Sequence, residues 1–118
     1  PMNDAFKRAD AYIKAGVDGI MIHSKSKNPI EVVEFAKRFR KNKKYKHIPL
    51  ICVPSTYNQI YDHQLEKVGF NIVIYANHMM RSSIPSMEKI AKSILKNGRT
   101  FEIEKKIAPI SKVLNYIK

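Results

Sequence analysis

One cysteine, a shortage of acids and the absence of any long apolar run narrow what this 118-residue chain can be. Cys52 has no partner in the sequence, so an intrachain disulfide framework is excluded and a reducing compartment is expected. The longest apolar stretches are strand-length and too short to cross a bilayer as a helix. No signal-peptide pattern appears, which makes the cytoplasm the expected location. Neither a G-x-x-x-x-G-K-[ST] phosphate loop nor a G-x-G-x-x-G fingerprint is present. H-E-x-x-H is missing too, and His23, His47, His63 and His78 lack zinc-ligand spacing. The acids mostly decorate helices, so no metal site assembles from this chain, and magnesium in particular finds no ligand set.

What is present is ordinary for a globular domain: 44% hydrophobic and 27% charged residues, enough for one core. Residues 1–118 are expected to form a single partial domain. Pro1 in place of Met, followed almost at once by a helix, suggests a piece of a longer polypeptide. Lys and Arg number 22 against 10 Asp and Glu, a formal net charge of +12. The densest basic run, Arg38 to Lys46, falls at a helix C-terminus and its loop, where cations complement the dipole. With no nucleic-acid motif beside it, the charge reads as a solvated surface rather than a footprint for DNA or RNA. It would also steer phosphorylated anions.

Helical and strand patterns alternate. Ala5, Phe6, Ala9, Tyr12 and Ile13 recur at helical spacing from Asp4, a potential N-cap, to Lys14, and Gly16 stops the helix. Gly19 to His23 reads as a buried strand. Asn28-Pro29 opens a second helix to about Arg40, and Leu50 to Val53 is a second strand. A short helix from Tyr57 to Val68 precedes a third strand, Phe70 to Ala76. Ser82 to Asn97 is a long helix with Pro85 in its first turn, and Ala108 to Ile117 is the last. This order implies an α/β fold with parallel strands. Three strands suit either an open doubly wound sheet or part of a (β/α)8 barrel, since a whole barrel needs about 250 residues.

In such folds functional groups gather at the C-terminal strand ends. His23, closing the first strand, is either satisfied by a backbone carbonyl or aimed at the mouth as a donor to an anionic oxygen, with Ser24 and Lys25 as further donors. Ser55 or Thr56 offers a hydroxyl to a ligand or caps the helix expected near Tyr57. Asn77 orients a substrate or makes turn hydrogen bonds. Cys52, without a base beside it, reads as a small hydrophobe.

The segments Ala15-Gly16-Val17-Asp18-Gly19-Ile20-Met21-Ile22-His23-Ser24-Lys25, Pro49 to Tyr57 and Ala76-Asn77-His78-Met79-Met80-Arg81 resemble the sixth, seventh and eighth strands of phosphoenolpyruvate mutases. The similarity runs over nearly the whole chain in one register. It implies the C-terminal portion of a (β/α)8 barrel whose parent interconverts phosphoenolpyruvate and phosphonopyruvate, forming the C–P bond of phosphonate biosynthesis. It further implies His23 as catalytic donor to the phosphoryl oxygens and substrate-binding residue, with Ser55 matching a position that carries a hydroxyl in relatives; Asn77, from its place at the third strand's end, is expected to bind substrate too. The magnesium-binding acids, a phosphoryl-binding arginine and a gating loop would precede Pro1, leaving these residues alone inactive. A homo-oligomer exchanging the helix around 82–96 is implied as well. Competing expectations are a phosphonopyruvate hydrolase, an oxaloacetate decarboxylase, an isocitrate lyase-like enzyme, or a non-catalytic basic α/β module.

Overall fold

Residues 2–117 are described by the computed structural model, and the periodic apolar segments form the elements expected of them with shifted ends. Helix α1 (Met2–Lys14) leads to β1 (Ile20–Ile22), α2 (Ile30–Lys41), a 3-10 turn (Lys43–Tyr45) and β2 (Leu50–Cys52). Then come α3 (Asp62–Lys67), β3 (Ile72–Val73), α4 (His78–Asn97), α5 (Phe101–Glu104) and α6 (Ile110–Asn115). The chain divides into two compact units, one ending at Ala76 and one beginning at Asn77.

The first unit holds a parallel sheet in the order β1-β2-β3. Ile20 stands opposite Leu50 and Ile22 opposite Cys52, while Ile51 pairs with Ile72 and Cys52 with Val73. Strand alternation divides these side chains between two faces. Ile20, Leu50 and Cys52 join the core formed with Val32, Phe35, Ala36 and Phe39 of α2. Their neighbours Met21 and Ile72 stay 56% and 47% exposed on the opposite face. Ring contacts tie the helices together: Phe6 on Phe35 at 4.5 Å, Phe35 on Phe39 at 5.7 Å and Phe39 on Tyr45 at 5.0 Å. The half-buried and buried apolar face thus lies under the helices, and the other face of the sheet lies open.

At the N-terminal strand ends one side chain gathers the loops. Arg40 donates from Nε to the Gly69 carbonyl at 2.8 Å and from its terminal nitrogens to the carbonyls of Tyr45, Lys46 and Ile48 and to Asn71 Oδ1. Gly69 holds φ +108, and a Cβ there would lie 2.5 Å from Arg40 Cγ. Glycine is therefore required twice over, by backbone conformation and by the passing arginine.

Three expectations need correction, and one short helix, α5, was not expected. Asp4 does not cap α1, which starts at Met2; its carboxylate sits in the first turn, 3.5 Å from Arg8 Nε, where it complements the helix dipole. Helix α3 starts at Asp62 rather than Tyr57, because residue 57 is drawn into the core and Gln64 Oε1 accepts from the Tyr61 N–H at the true start. Helix α4 starts at His78, so Pro85 is interior and Arg81 loses one helical donor to its carbonyl. The short α5 falls in a segment with no apolar period of its own.

In the second unit α4 ends at Gly98, whose left-handed φ of +64 lets its N–H reach the Ile94 carbonyl at 2.7 Å. Ile103 is its one buried hydrophobic residue among the described positions, and α4 buries none. Among the described residues no helix is long and apolar enough to cross a membrane.

Candidate functional site

The C-terminal ends of β1 and β2 lie side by side, so the residues that follow leave the sheet together. His23 comes directly after Ile22, the last residue of β1, and borders the grooves along that strand together with Ala5 and Arg8 of α1. Its side chain is exposed, with its ring centroid 6.1 Å from that of Tyr57 and tilted by 40°. Beyond it the loop is tied down link by link. Ser24 Oγ donates to Glu31 Oε2 at 2.6 Å and accepts from the Ser26 N–H; Ser26 Oγ accepts from the Asn28 N–H, and Asn28 Oδ1 from the Ile30 N–H. Ser24 is buried and engaged, so it does not serve as the free donor its position suggested. Asn28 meets its expected role at the start of α2, satisfying an N–H that the helix cannot.

From β2, Val53 and Pro54 carry the chain to Ser55 and Thr56, which border a cavity of about 510 Å³ with Lys27, Asn58 and Gln59. Ser55 caps nothing, because α3 begins seven residues later at Asp62 (62 − 55 = 7). Its Oγ is shielded from solvent and has no hydrogen-bond partner in the described structure. Such a hydroxyl is a reserve of unmet hydrogen bonding at a strand mouth.

Tyr57 was not legible as a site residue, since sequence spacing assigned it to a helix. It is fully buried, and burial pushes its phenol up to about 12, with the nearby Cys52 adding to the shift and the Val53 backbone opposing it. The phenol approaches the Val53 backbone without completing a well-formed hydrogen bond. Cys52 is likewise buried, and its thiol is raised to about 11 by burial alone, which leaves it protonated and inert.

Asn77 belongs to the second unit, at the start of α4. Its backbone carbonyl accepts from the Arg81 N–H at 2.9 Å, while its side-chain Oδ1 is buried with no hydrogen-bond partner. The turn role open to that side chain is thus not taken up, and an acceptor remains free.

Among the described residues no three His, Cys, Asp or Glu side chains converge on a point that could hold a metal ion. Several acids are already committed: Asp10 to Tyr45 and Lys14, Glu31 to Ser24, Glu102 to Arg99.

Comparison with known proteins adds the family. The profile described as phosphoenolpyruvate phosphomutase matches residues 1–95. The phosphoenolpyruvate phosphomutase of Tetrahymena pyriformis is 37% identical over 112 residues, covering 95% of this chain and 36% of that protein. A crystal structure of the phosphoenolpyruvate phosphomutase of Streptomyces platensis subsp. rosaceus superimposes with a TM-score of 0.86 at 37% identity, over 97% of this chain and 38% of that one. A phosphonopyruvate hydrolase solved with oxalate and Mg++ superimposes with a TM-score of 0.84 at 28% identity, over 98% and 39%. These neighbours are (β/α)8 barrels, and the three parallel strands with their helices correspond to part of one. The chain spans just over a third of the length of such relatives. It belongs to the phosphoenolpyruvate phosphomutase family.

Proposed function

We propose that these residues form one wall of the mouth of a phosphoenolpyruvate mutase, an isomerase interconverting phosphoenolpyruvate and phosphonopyruvate. The observation that carries this reading is the position of His23: exposed, directly after a parallel strand, and beside the end of the neighbouring strand. Toward phosphoenolpyruvate the C–P bond breaks and an O–P bond forms on the enolate oxygen. Substrate and product contain the same atoms, so no water or second reactant is consumed. The bonding pair of the C–P bond passes to the pyruvate enolate, whose oxygen then bonds phosphorus, and an N–H donor from His23 stabilises the negative charge that the phosphoryl oxygens carry during the transfer. The Ser55 hydroxyl, shielded and without a partner, is proposed to bind the substrate as a donor. Asn77, in the second unit, is proposed as a substrate-binding residue through its side-chain NH2, the group of that amide able to donate to an anion.

The magnesium of the reaction would be held by residues outside these 118, together with the phosphoryl-binding arginine and the gating loop. The open face of the sheet and the groove of about 440 Å³ along β1, lined by Ala5, Tyr12, Gly19, Met21 and others, support a further parallel strand adding at that edge. The isolated 118 residues are accordingly proposed to be inactive. Helix α4, with no buried residue and with Met79 and Leu95 more than four-fifths exposed, supports exchange of the 82–96 segment between subunits of a homo-oligomer.

Phosphorus NMR of the full-length protein with phosphonopyruvate tests the reading. A phosphoenolpyruvate resonance is expected. The likeness to a phosphonopyruvate hydrolase favours one alternative product pattern, pyruvate with inorganic phosphate, and its appearance in place of phosphoenolpyruvate would replace the mutase by the hydrolase. No turnover of either kind would sink both.

A further inference from the structure

We infer that Tyr57 is a positioning residue for His23, an inference that rests on the reading of His23 as the phosphoryl donor. Pairing of Ile22 with Cys52 sends residues 23 and 53 out of the sheet as neighbours. Pro54 limits the backbone just beyond, and the chain turns so that the ring of Tyr57 enters the core. One ring of the pair is therefore fully buried and the other exposed, with 6.1 Å between their centroids. The buried partner cannot move without opening the core. An exposed imidazole on its own would sample several rotamers. A fixed aromatic wall removes some of them, which is the support a donor needs if it is to meet a phosphoryl oxygen without reorganising.

The tyrosine acts through its ring. Its oxygen lies away from solvent and completes no well-formed hydrogen bond, so the ring and not the hydroxyl is what meets His23. The tilt of 40° is neither a flat stack nor a perpendicular contact, and the pair meets as adjacent surfaces at the mouth. Nothing in the helical spacing of 57–68 pointed to this contact, because it joins residues 34 positions apart (57 − 23 = 34).

The test compares Tyr57→Phe, Tyr57→Leu, His23→Asn and the double variant His23→Asn/Tyr57→Leu in the full-length protein that carries this chain. Tyr57→Phe keeps the ring and is expected within about threefold of wild type, while Tyr57→Leu lowers kcat by about tenfold or more with KM changed less than about threefold. The double variant should be no slower than His23→Asn alone, because Tyr57 acts only through the imidazole. An unchanged kcat in Tyr57→Leu, or an equal slowing of wild type and of His23→Asn, overturns the inference. If Tyr57→Leu loses its native circular dichroism, proton NMR of the wild type decides. The His23 ring protons should be displaced by the Tyr57 ring relative to those of exposed His47, and coincident resonances overturn the contact. A wild-type rate in His23→Asn removes the donor role proposed above; a slow His23→Asn with an unaffected Tyr57→Leu removes this inference alone.

Discussion

Asn71 Oδ1 accepts a hydrogen bond from the Leu50 backbone N–H at 2.9 Å, and Asn71 returns the favour by donating its own N–H to the Leu50 carbonyl at 2.9 Å. The same Oδ1 also receives Arg40, so one side-chain oxygen joins β2, the approach to β3 and the end of α2. Replacing Asn71 by Ala leaves the N–H of a fully buried Leu50 without its partner. The expected loss is about 1–3 kcal/mol of unfolding free energy, read as a lower urea midpoint with an unchanged slope.

Gly69→Ala meets two penalties in one place. A side chain at φ +108 is strained, and the added methyl displaces the Arg40 side chain from the Gly69 carbonyl. A loss of about 2 kcal/mol or more is expected. In an Arg40→Ala background the same substitution should cost less, since the clash is gone. Equal costs in the two backgrounds would show that the arginine does not enforce glycine there.

The pH dependence of stability is expected to involve Asp10. Its carboxyl is held below the ordinary range first by the Lys14 ammonium 2.7 Å away and then by the Tyr45 hydroxyl, which donates at 2.6 Å. The folded state therefore releases this proton at a lower pH than the unfolded chain does. Its stabilisation is fully present above the unfolded value of about 3.9 and disappears as pH falls through the folded value. The difference in urea midpoint between wild type and Asp10→Asn should stay level from pH 6 to about pH 5 and shrink as pH falls from about 4 toward 2. A constant difference over that interval would contradict the assignment.

Cys52 should be silent toward thiol reagents. Buried beside Leu50 and held protonated to about pH 11, it offers neither access nor thiolate. At pH 8 labelling is expected only after denaturant is added. Cys52→Ser puts a hydroxyl into the same apolar site and is expected to cost about 1–3 kcal/mol.

Much of this architecture was readable because it is periodic. Apolar spacing of α1 and α2, the terminating Gly16, Gly69 and Gly98, and the three short apolar runs are local signals, and the parallel order follows from them. Ends were harder. Tyr57 sits at helical spacing with later residues, yet its ring is more favourable in the core than on a helix, and tertiary packing decided the matter. Arg40 looked like one more member of a basic surface run, but it bonds partners up to 31 residues away, which no spacing rule reports. His23 was visible through its place at a strand end and through family resemblance. Its partner Tyr57 and the unsatisfied oxygens of Ser55 and Asn77 required coordinates.

The most direct measurement is the rate of phosphonopyruvate conversion by His23→Asn, compared with wild type in the full-length protein. Loss of the donor proposed for the phosphoryl oxygens predicts a fall in kcat of about 10²-fold or more with the fold intact. A variant that turns over at the wild-type rate would contradict the account at its centre.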